Sequence, residues 1–493
     1  MKHKRFIIKI VCFIIAAALV WGVVNGILNP KYMYDNTWPT TQTYTDFYEL
    51  EEDSVDVLFF GSSYCVSAFS PLELYETYGI SSYNLACEQQ NMLISYYWLK
   101  EALRYQSPEV VVLETYILFN YNSQEPLNSS ESKQRKAIDY MKWSSVKCEA
   151  ISAICENDES QSKLSYYLTN IRFHSRWTEL NEDDFTYSST SEHKGLMGYS
   201  AINGISGDTD YKPFQDGSST SMQQPDELMK EYLDKIVELC NENEIELILV
   251  ETPSTRVDIG RYNYLNQYAA ENNIQYIDYN EESVYTEISY NYATDNYETG
   301  HLNIWGAKKV TDYIGEVLTE QYMVDTGEST DHESLLEYYN EVKKDCELSM
   351  VTDFSEYLDM INDSRYAIFI SIKDEGTLAL NDELNEKLTA LGTTVDFENK
   401  YQYSYYAVIN GDNSDEMIGN EELYSNGTLR DGVTTYEISS AGKECGNSSS
   451  IIIDGTEYSL NQSGMNIVVY CLDTKKVIDT VCFDTGDDLG TVR

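Results

Sequence analysis

The stretch Asp56-Val-Leu-Phe-Phe-Gly-Ser-Ser63 decides the fold that we expect for this chain. Val57 to Phe60 is a short apolar run, which is typical of a strand buried on both faces of a parallel sheet. The run ends at Gly61, and two hydroxyl side chains, Ser62 and Ser63, follow where the chain must leave the sheet. Ligands of open α/β sheets bind outside the carboxyl ends of the strands, and a serine on a tight turn there can be a nucleophile. The alternative is a Gly-Ser turn that only caps the next helix.

A second stretch, Glu298-Thr-Gly-His301-Leu-Asn-Ile-Trp-Gly306, supplies a partner for such a serine. A neutral imidazole is the usual base for a serine, and a carboxylate three residues earlier can orient its other ring nitrogen. The chain has only 5 histidines. One that stands between a carboxylate and a helix start is therefore a candidate catalytic base.

Together these stretches resemble the SGNH/GDSL hydrolase family, in which a Gly-x-Ser at a strand end carries the nucleophile and a late Asp-x-x-His completes the triad. The resemblance implies that Ser63 is the nucleophile and His301 the base. Glu298 stands where the family has Asp, so either its longer side chain reaches the imidazole or Asp295 takes that role. The match covers roughly residues 55–325, which we assign to an SGNH hydrolase-like domain.

The residues after Ser63 alternate between helix and strand patterns, which is typical of βαβ units and a parallel sheet. We predict an α/β fold with a flavodoxin-like parallel sheet and helices on both faces, the SGNH type. The further strands are expected at 82–86, 110–113, 246–250 and 274–278, and the helices at 70–78, 89–104, 226–241, 262–272 and 306–322.

Serine acyl transfer needs hydrogen-bond donors aimed at the developing oxyanion. The loop after the second predicted strand should lie beside Ser63, so we expect the backbone N–H groups of Ser63 and Ala86 to be donors. SGNH enzymes usually place a glycine after this strand and an asparagine after the third. This chain has Ala86 and then Glu114-Thr-Tyr116, so the side chain of Gln89 or Gln90 is the candidate replacement.

A basic cluster, Asn170-Ile-Arg-Phe-His-Ser-Arg-Trp177, stands out in an acidic chain. His174 and Arg176 are candidates for clamping a charged or polar group of a substrate. The alternative is a structural ion pair with one of the many carboxylates.

Composition limits the remaining function classes. With 493 residues the chain should hold two or three domains. Its net charge of −48 argues against nucleic acid and against adhesion of the globular part to anionic lipids. No Cys-x-x-Cys or His-x-x-x-His spacing suggests a metal, and we expect no cofactor. Cys65 and Cys87 follow the first two predicted strands, where either a disulfide or free thiols would fit.

The first thirty residues predict a membrane anchor. A basic head, Met1 to Arg5, precedes an apolar run from Phe6 to Leu28 that only Lys9 and Asn25 interrupt. This length can span a bilayer, and the positive flank predicts a cytoplasmic N-terminus in the cell membrane with the bulk of the chain extracellular. A cleavable signal peptide is the alternative, but its apolar core would be shorter and Val24-Asn-Gly26 is a poor cleavage site. Residues 31–54 are expected to be an extended linker.

Beyond a helical connector at 326–360, residues 361–493 are expected to form a smaller α/β domain. Their motifs resemble the ILEI/PANDER domain over about residues 364–486, a resemblance that implies carbohydrate binding, with simple structural packing as the alternative. The matching segments are Tyr403–Tyr406, Ser440–Gly442, Gly446–Asn447, Asp454–Gly455, Gly464–Tyr470 and Asp479–Thr485.

Within the SGNH family, one N-terminal span and an exterior domain most resemble anchored proteins of cell-surface acylation, which act beside a membrane-bound O-acyltransferase. The sequence therefore predicts a membrane-anchored serine esterase or O-acyltransferase, acetyl being the favoured group, that acts on a cell-envelope or extracellular polysaccharide. One alternative is a non-catalytic glycan-binding or assembly scaffold with a degenerate site. Another is a signalling or adhesion factor that acts through residues 360–493 alone.

Overall fold

The structure is a computed structural model that describes residues 2–30, 38, 40–120, 131–186, 195–324, 326–327, 330–411 and 413–493. The chain divides into two compact units, Met1–Tyr339 and Asn340–Arg493. The predicted fold class is confirmed, since the first unit contains a parallel sheet flanked by helices and the second contains a sheet of its own.

The sheet of the first unit has five strands: β1 (Val57–Phe60), β2 (Ser82–Asn84), β3 (Val110–Glu114), β4 (Glu246–Glu251) and β5 (Gln275–Asp278). Their order is β2-β1-β3-β4-β5 with every neighbouring pair parallel, as in flavodoxin-like proteins. All residues of β1, β2 and β3 are buried, as expected for apolar strands covered on both faces. The carboxyl ends of all five strands therefore meet at one edge of the sheet.

Helices precede, connect and follow these strands. In the first unit they are α1 (Lys2–Leu28), α2 (Thr40–Phe47), α3 (Ser63–Ala68), α4 (Pro71–Tyr78), α5 (Met92–Ala102), α6 (Tyr116–Phe119), α7 (Glu131–Ile138), α8 (Ser145–Asn157), α9 (Lys163–Tyr167), α10 (Asn170–Phe173), a 3₁₀ turn (His174–Thr178), α11 (Asp183–Thr186), α12 (Glu227–Glu242), α13 (Ile259–Asn272), α14 (Glu282–Glu287), α15 (Tyr292–Asp295) and α16 (Ile304–Glu320), and α17 (Thr330–Leu348) runs through the boundary between the units.

The predicted apolar helix at the N-terminus is present as α1. The most hydrophobic 18-residue window of its span His3–Leu28 has a mean hydropathy of 2.7, and the helix is long and apolar enough to cross a membrane. Its most hydrophobic window is 0% buried within the protein. A helix of this composition is stable only where lipid or another apolar medium covers it.

The prediction of an extended linker over 31–54 is wrong for residues 40–47, which form α2. Tyr44 and Phe47 are buried, and the ring of Tyr44 stacks on Trp98 with centroids 4.4 Å apart. The helix forms because it covers the core with these rings. Residues 31–37 and 39 lie outside the described part of the chain.

The second unit is a ten-stranded mixed sheet with two helices, α18 (Phe354–Ile361) and α19 (Asp382–Leu391). Side chains of its central strand alternate between two cores: Ile368 and Ile370 face one cluster, and Ala367 and Phe369 face the other. The strands are β6 (Tyr366–Asp374), β7 (Ser404–Asn410), β8 (Asn413–Gly419), β9 (Leu423–Thr428), β10 (Thr435–Gly442), β11 (Ser448–Ile453), β12 (Thr456–Glu457), β13 (Gly464–Cys471), β14 (Lys476–Phe483) and β15 (Thr491–Val492).

Candidate active site

Ser63 lies at the sheet edge where β1 ends, as the first residue of α3. Gly61 makes this sharp exit from the strand sterically feasible. A Cβ atom there would lie 2.6 Å from the Cβ atom of Glu114 and 2.8 Å from that of Cys65. Ser62 caps α3 by accepting a hydrogen bond from the N–H of Tyr64. Ser62 therefore caps the helix, as the alternative interpretation of the turn requires, while the Ser63 hydroxyl makes no cap and lies beside His301.

Three side chains form a continuous chain of hydrogen bonds. The Ser63 Oγ atom lies 2.9 Å from His301 Nε2, and His301 Nδ1 lies 2.8 Å from Glu298 Oε1. Because the Glu298 carboxylate can only accept, it favours the tautomer that carries its proton on Nδ1 and leaves Nε2 free to accept the Ser63 proton. This is the geometry that general-base activation of a serine requires.

Aromatic rings enclose the imidazole of His301. The Tyr64 ring meets it edge to face at 4.9 Å between centroids, and the Trp38 ring is tilted against it at 5.0 Å. Burial lowers the pKa of His301, the hydrogen bond to Glu298 opposes this, and the positive charge of Arg256 adds to the lowering. The imidazole is therefore neutral near pH 7 and able to accept a proton.

The loop that carries His301 is fixed by hydrogen bonds of the two residues that follow the histidine. Asn303 caps α16 by accepting from the N–H groups of Trp305 and Gly306, and the N–H of Leu302 donates to Ser67 Oγ in α3 at 3.3 Å. Gly300 allows the loop to pass close to Tyr64, because a Cβ atom at this position would lie 2.3 Å from that ring. The histidine is thus positioned by direct contact with the helix that carries the serine.

The structure distinguishes between the two acids that the sequence left open. Asp295 is buried and pairs with Lys309 Nζ at 2.7 Å, while its Oδ2 atom also accepts from the N–H of Asn291 at 2.7 Å. Glu298 contacts the imidazole and its side chain is 53% exposed. Asp295 therefore holds the loop together, and Glu298 is the acid that meets His301.

The candidate oxyanion donors differ in their availability. In the described part of the chain, the backbone N–H groups of Ser63 and Ala86 have no acceptor among the hydrogen bonds found, and Leu85 ties the second loop to β1 by donating to Phe59 O at 2.8 Å. The Gln90 side-chain amide donates to Leu85 O at 2.9 Å and to Ser95 Oγ at 3.2 Å. Since both amide hydrogens of Gln90 are used inside the protein, they are not available to an oxyanion in this conformation.

Sequence reasoning missed the part that Glu114 plays at this edge. Its Oε2 atom accepts from Ser62 N at 3.0 Å and from Ser62 Oγ at 2.8 Å, and its Oε1 atom accepts from Tyr116 N at 2.5 Å. Burial raises the pKa of Glu114, and the hydrogen bonds from Ser62 oppose the rise. Glu114 thus ties the turn that carries the serine to the neighbouring strand. The signal that the sequence offered for this role was an acidic residue directly after the apolar run of β3.

Two further strands end in buried acids. Burial raises the pKa of Glu251 well above its usual range, and the nearby charges of Glu114 and Asp278 add to the rise. Burial likewise raises the pKa of Asp278 to about 6. Thr115 Oγ1 donates to Glu251 Oε2 at 2.5 Å, and Arg261 Nη1 lies 3.9 Å from Glu251 Oε1. These carboxyl groups lie at the edge of the sheet where the strands end. Among the described residues, no group of three or more His, Cys, Asp or Glu side chains could hold a metal ion.

Arg256 is a second feature that the sequence did not indicate. Its Nη1 atom donates to the Tyr116 hydroxyl at 3.1 Å, and the Tyr116 ring lies 4.1 Å from the Tyr64 ring between centroids. The ion pairs found among the described residues do not include Arg256. Its exposed guanidinium therefore offers a positive charge beside His301 and Glu298.

The structure gives His174 and Arg176 structural contacts. Arg176 pairs with Asp184 at 2.8 Å and donates to Leu28 O at 2.7 Å. His174 is exposed, and its Nδ1 atom bonds to Ile171 O at 2.9 Å. For Arg176 this is the alternative that we considered for the basic cluster, a structural ion pair.

Comparisons with known proteins found similar solved structures only. No protein-family model matches the chain, and no curated protein matches it. One solved structure, described as a lipolytic protein of the G-D-S-L family from Desulfitobacterium hafniense DCB-2, is 12% identical over 53% of this chain and 98% of its own, with a TM-score of 0.27. A GDSL-like lipase from Bacteroides thetaiotaomicron VPI-5482 is 10% identical over 58% of this chain and 98% of its own, with a TM-score of 0.27. A structure described as an acylhydrolase from Bacteroides fragilis NCTC 9343 is 12% identical over 58% of this chain and 97% of its own, with a TM-score of 0.27. Similarities as low as these do not indicate a function, so the function proposed below rests on the geometry of the site.

Proposed function

We propose that the chain is a membrane-anchored serine acyl hydrolase or O-acyltransferase of the SGNH type. The observation that carries the proposal is the chain of hydrogen bonds from Ser63 through His301 to Glu298. A serine, a neutral imidazole and a carboxylate in this order are the parts that acyl transfer requires.

In the proposed reaction, Ser63 Oγ attacks an acyl carbonyl while its proton passes to His301 Nε2. The N–H groups of Ser63 and Ala86 hold the oxyanion, and collapse of the intermediate expels the alcohol with the proton from His301. The acyl-enzyme then passes its acyl group to water in an esterase, or to a sugar hydroxyl in a transferase. His301 deprotonates that acceptor and returns the proton to Ser63 Oγ as the bond between the acyl group and the serine breaks. Glu298 keeps the imidazole oriented and stabilises its charged form.

The substrate class that we propose is a cell-envelope or extracellular polysaccharide, with acetyl as the acyl group. The support is the apolar helix α1, which anchors the catalytic unit at a membrane when its basic flank stays in the cytoplasm. A membrane-bound O-acyltransferase is the proposed partner. The second unit, through its ILEI/PANDER-like motifs, is proposed to bind carbohydrate.

A second candidate function is a non-catalytic glycan-binding or assembly scaffold. Two observations favour it: the amide of Gln90 is committed to Leu85 and Ser95, and Glu298 is half exposed, so its orientation of His301 is weakened by solvent. Under this proposal Ser63 would have no activated hydroxyl.

The test is labelling of the full chain with a fluorophosphonate probe, which reacts only with an activated serine. We expect the wild type to be labelled and S63A to be unlabelled. S62A is the matched control, because Ser62 is the neighbouring hydroxyl and is bound to Glu114; it should still be labelled. If the folded wild type is not labelled, the scaffold function replaces the enzymatic one. If the wild type is labelled, acetyl esters and acetylated polysaccharides are the substrates to assay.

A further inference from the structure

An unusual group of exposed apolar side chains lies on the short helices between residues 143 and 185. Trp177 is 70% exposed and Phe185 is 62% exposed, values that are uncommon for aromatic rings in a soluble domain. The ring of Trp143 stacks on Tyr167 with centroids 5.4 Å apart, which links the parts of the group. We call this group the apolar platform, and its members are Trp143, Leu164, Tyr167, Leu168, Ile171, Trp177 and Phe185.

The apolar platform lies against the end of α1. Thr169 Oγ1 donates to Asn25 Oδ1 at 2.6 Å, and Arg176 Nη1 donates to Leu28 O at 2.7 Å, which caps the last turn of the helix. Leu28 is only 9% exposed, whereas the apolar side chains from Phe6 to Val24 are exposed. The end of α1 therefore contacts the first unit at α10, the 3₁₀ turn and α11, the elements that carry the platform residues Ile171, Trp177 and Phe185.

The dimensions of α1 place its end at a membrane surface. A helix rises about 1.5 Å per residue and the hydrocarbon core of a bilayer is about 30 Å thick. The run from Phe6 to Val24 matches that thickness, so that Asn25 comes at the boundary between acyl chains and headgroups. Tryptophan and tyrosine are the side chains that favour this layer, because each has an apolar ring and a polar group.

We propose that the apolar platform inserts into the interfacial layer of the same bilayer that α1 spans, so that the catalytic unit binds the membrane directly. A lipid surface is the occupant because the platform continues the surface of a helix that itself needs lipid. This proposal does not depend on the proposed enzymatic activity.

The contact should depend on apolar insertion rather than on charge. Lys147, whose Nζ atom lies 4.6 Å from the centre of the Trp143 ring, is buried and donates to the backbone carbonyls of Asp139 and Met141. Three further basic groups beside the platform are paired with acids: Arg172 with Asp139 at 3.1 Å, Arg176 with Asp184 at 2.8 Å, and Lys163 with Glu156 at 3.5 Å. Because these charges are neutralised within the protein, the platform has no need of anionic lipids, and the acidic chain would be repelled by them. Binding to phosphatidylcholine, with no dependence on salt, is the expected behaviour.

The proposal has a consequence for the site. Trp38 packs against His301, and it stands ten positions after Leu28, the last residue of α1. A chain of that length spans at most about 35 Å. If the proposed acyl chemistry holds, its donor or acceptor is therefore a molecule that comes to the membrane surface.

Tryptophan fluorescence gives a direct test with the full chain in phosphatidylcholine nanodiscs, with or without brominated acyl chains, which quench indoles that touch them. The part of the fluorescence that brominated lipid quenches should be smaller in W177F and in W143F than in the wild type. W305F is the matched control, because Trp305 stands in the first turn of α16 and is not part of the platform, and it should leave the quenched part unchanged. Raising the salt to about 0.5 M should change none of these differences.

Three results would overturn the proposal. The first is an equal quenched part in W177F, W143F and the wild type, which would mean that another protein or solvent covers the platform. The second is quenching that appears only with anionic lipid. The third is an equal quenched part in W21F and the wild type. Trp21 would then not touch lipid, and α1 itself would lie outside the bilayer. None of these readouts uses acyl chemistry, so labelling of Ser63 measured in parallel reports separately on the proposed function.

Discussion

Glu298 and Asp295 stand three residues apart, and the different partners of these two acids lead to a test of the proposed triad. We expect E298Q to lower the rate of fluorophosphonate labelling by about 10- to 100-fold, because the amide no longer stabilises the imidazolium. The loss should be smaller than for a buried acid, since the Glu298 side chain is 53% exposed and partly screened by solvent. The measurement is the second-order rate constant of labelling.

D295N is the matched control for this prediction. Asp295 pairs with Lys309 and accepts from Asn291, so its replacement should lower the melting temperature and change the labelling rate by only a few-fold. A labelling rate that falls in D295N and stays constant in E298Q would assign the triad acid to Asp295.

Arg256 predicts a specific pH dependence. Its positive charge disfavours the imidazolium of His301 and contributes to lowering the pKa of that residue. In R256Q the pKa of His301 should therefore rise, and because labelling needs the neutral imidazole, the acid limb of the pH–rate profile should move to higher pH. We expect the shift to be small and to shrink as salt is added, since Arg256 is exposed and screened.

R104Q serves as the control for the pH profile, because Arg104 is an exposed cation that pairs with Glu101 instead. Its acid limb should coincide with that of the wild type. A shift of the R256Q limb to lower pH, or an equal shift in R104Q, would show that the field of Arg256 does not act on His301.

Local sequence patterns predict Ser63 and His301, and they leave the acid open between Glu298 and Asp295, because each pattern lies within a few residues. The structure places the first two 2.9 Å apart although they are 238 residues apart in the chain. Trp38 and Arg256 have no such local pattern. Their position beside His301 depends on which loops meet at the sheet edge, and that is decided by tertiary packing.

At the scale of elements, the turn after β1 is tied to β3 through Glu114. E114A should slow the labelling of Ser63 because it leaves the N–H and hydroxyl of Ser62 without their acceptor in a buried place. It should also reduce the free energy of unfolding by about 1–3 kcal/mol. The labelling rate and a thermal melt measure the two effects.

E114Q separates the hydrogen bonds from the charge of Glu114. Its amide oxygen still accepts from Ser62, so we expect it to recover most of the labelling rate. If E114A labels as fast as the wild type, Glu114 has no part in positioning the turn.

The strands differ in how well the sequence predicts them. Those of the first sheet are continuous apolar runs, and all five lie within a few residues of their expected places. In the second unit, β8 and β9 lack such apolar runs. These strands are rich in polar residues such as those of Asn413–Gly419, and β9 alternates between exposed and half-buried positions, so neither apolar content nor periodicity identifies them.

At the scale of the whole molecule, charge is distributed unevenly along the chain. Of its 34 lysines and arginines, Lys2, Lys4, Arg5 and Lys9 stand at the start of α1, and no acid precedes Asp35. The net charge is nevertheless −48, so the part that follows the anchor is strongly acidic. Positive residues near a membrane helix are retained in the cytoplasm, whereas acidic residues have little influence on orientation. The basic head should therefore determine the orientation of the whole chain.

This distribution predicts an orientation with the part after α1 outside the cell, so protease added to intact cells should digest a tag placed after Arg493. Changing Lys2, Lys4, Arg5 and Lys9 to glutamate should increase the protected fraction of that tag, since nothing then retains the N-terminus in the cytoplasm. Exchanging lysine for arginine, and arginine for lysine, at the same positions keeps the charge and should leave the digestion unchanged. If the wild-type tag is digested only after lysis, the catalytic unit is cytoplasmic. An envelope polysaccharide could then not be its substrate, whatever the reactivity of Ser63.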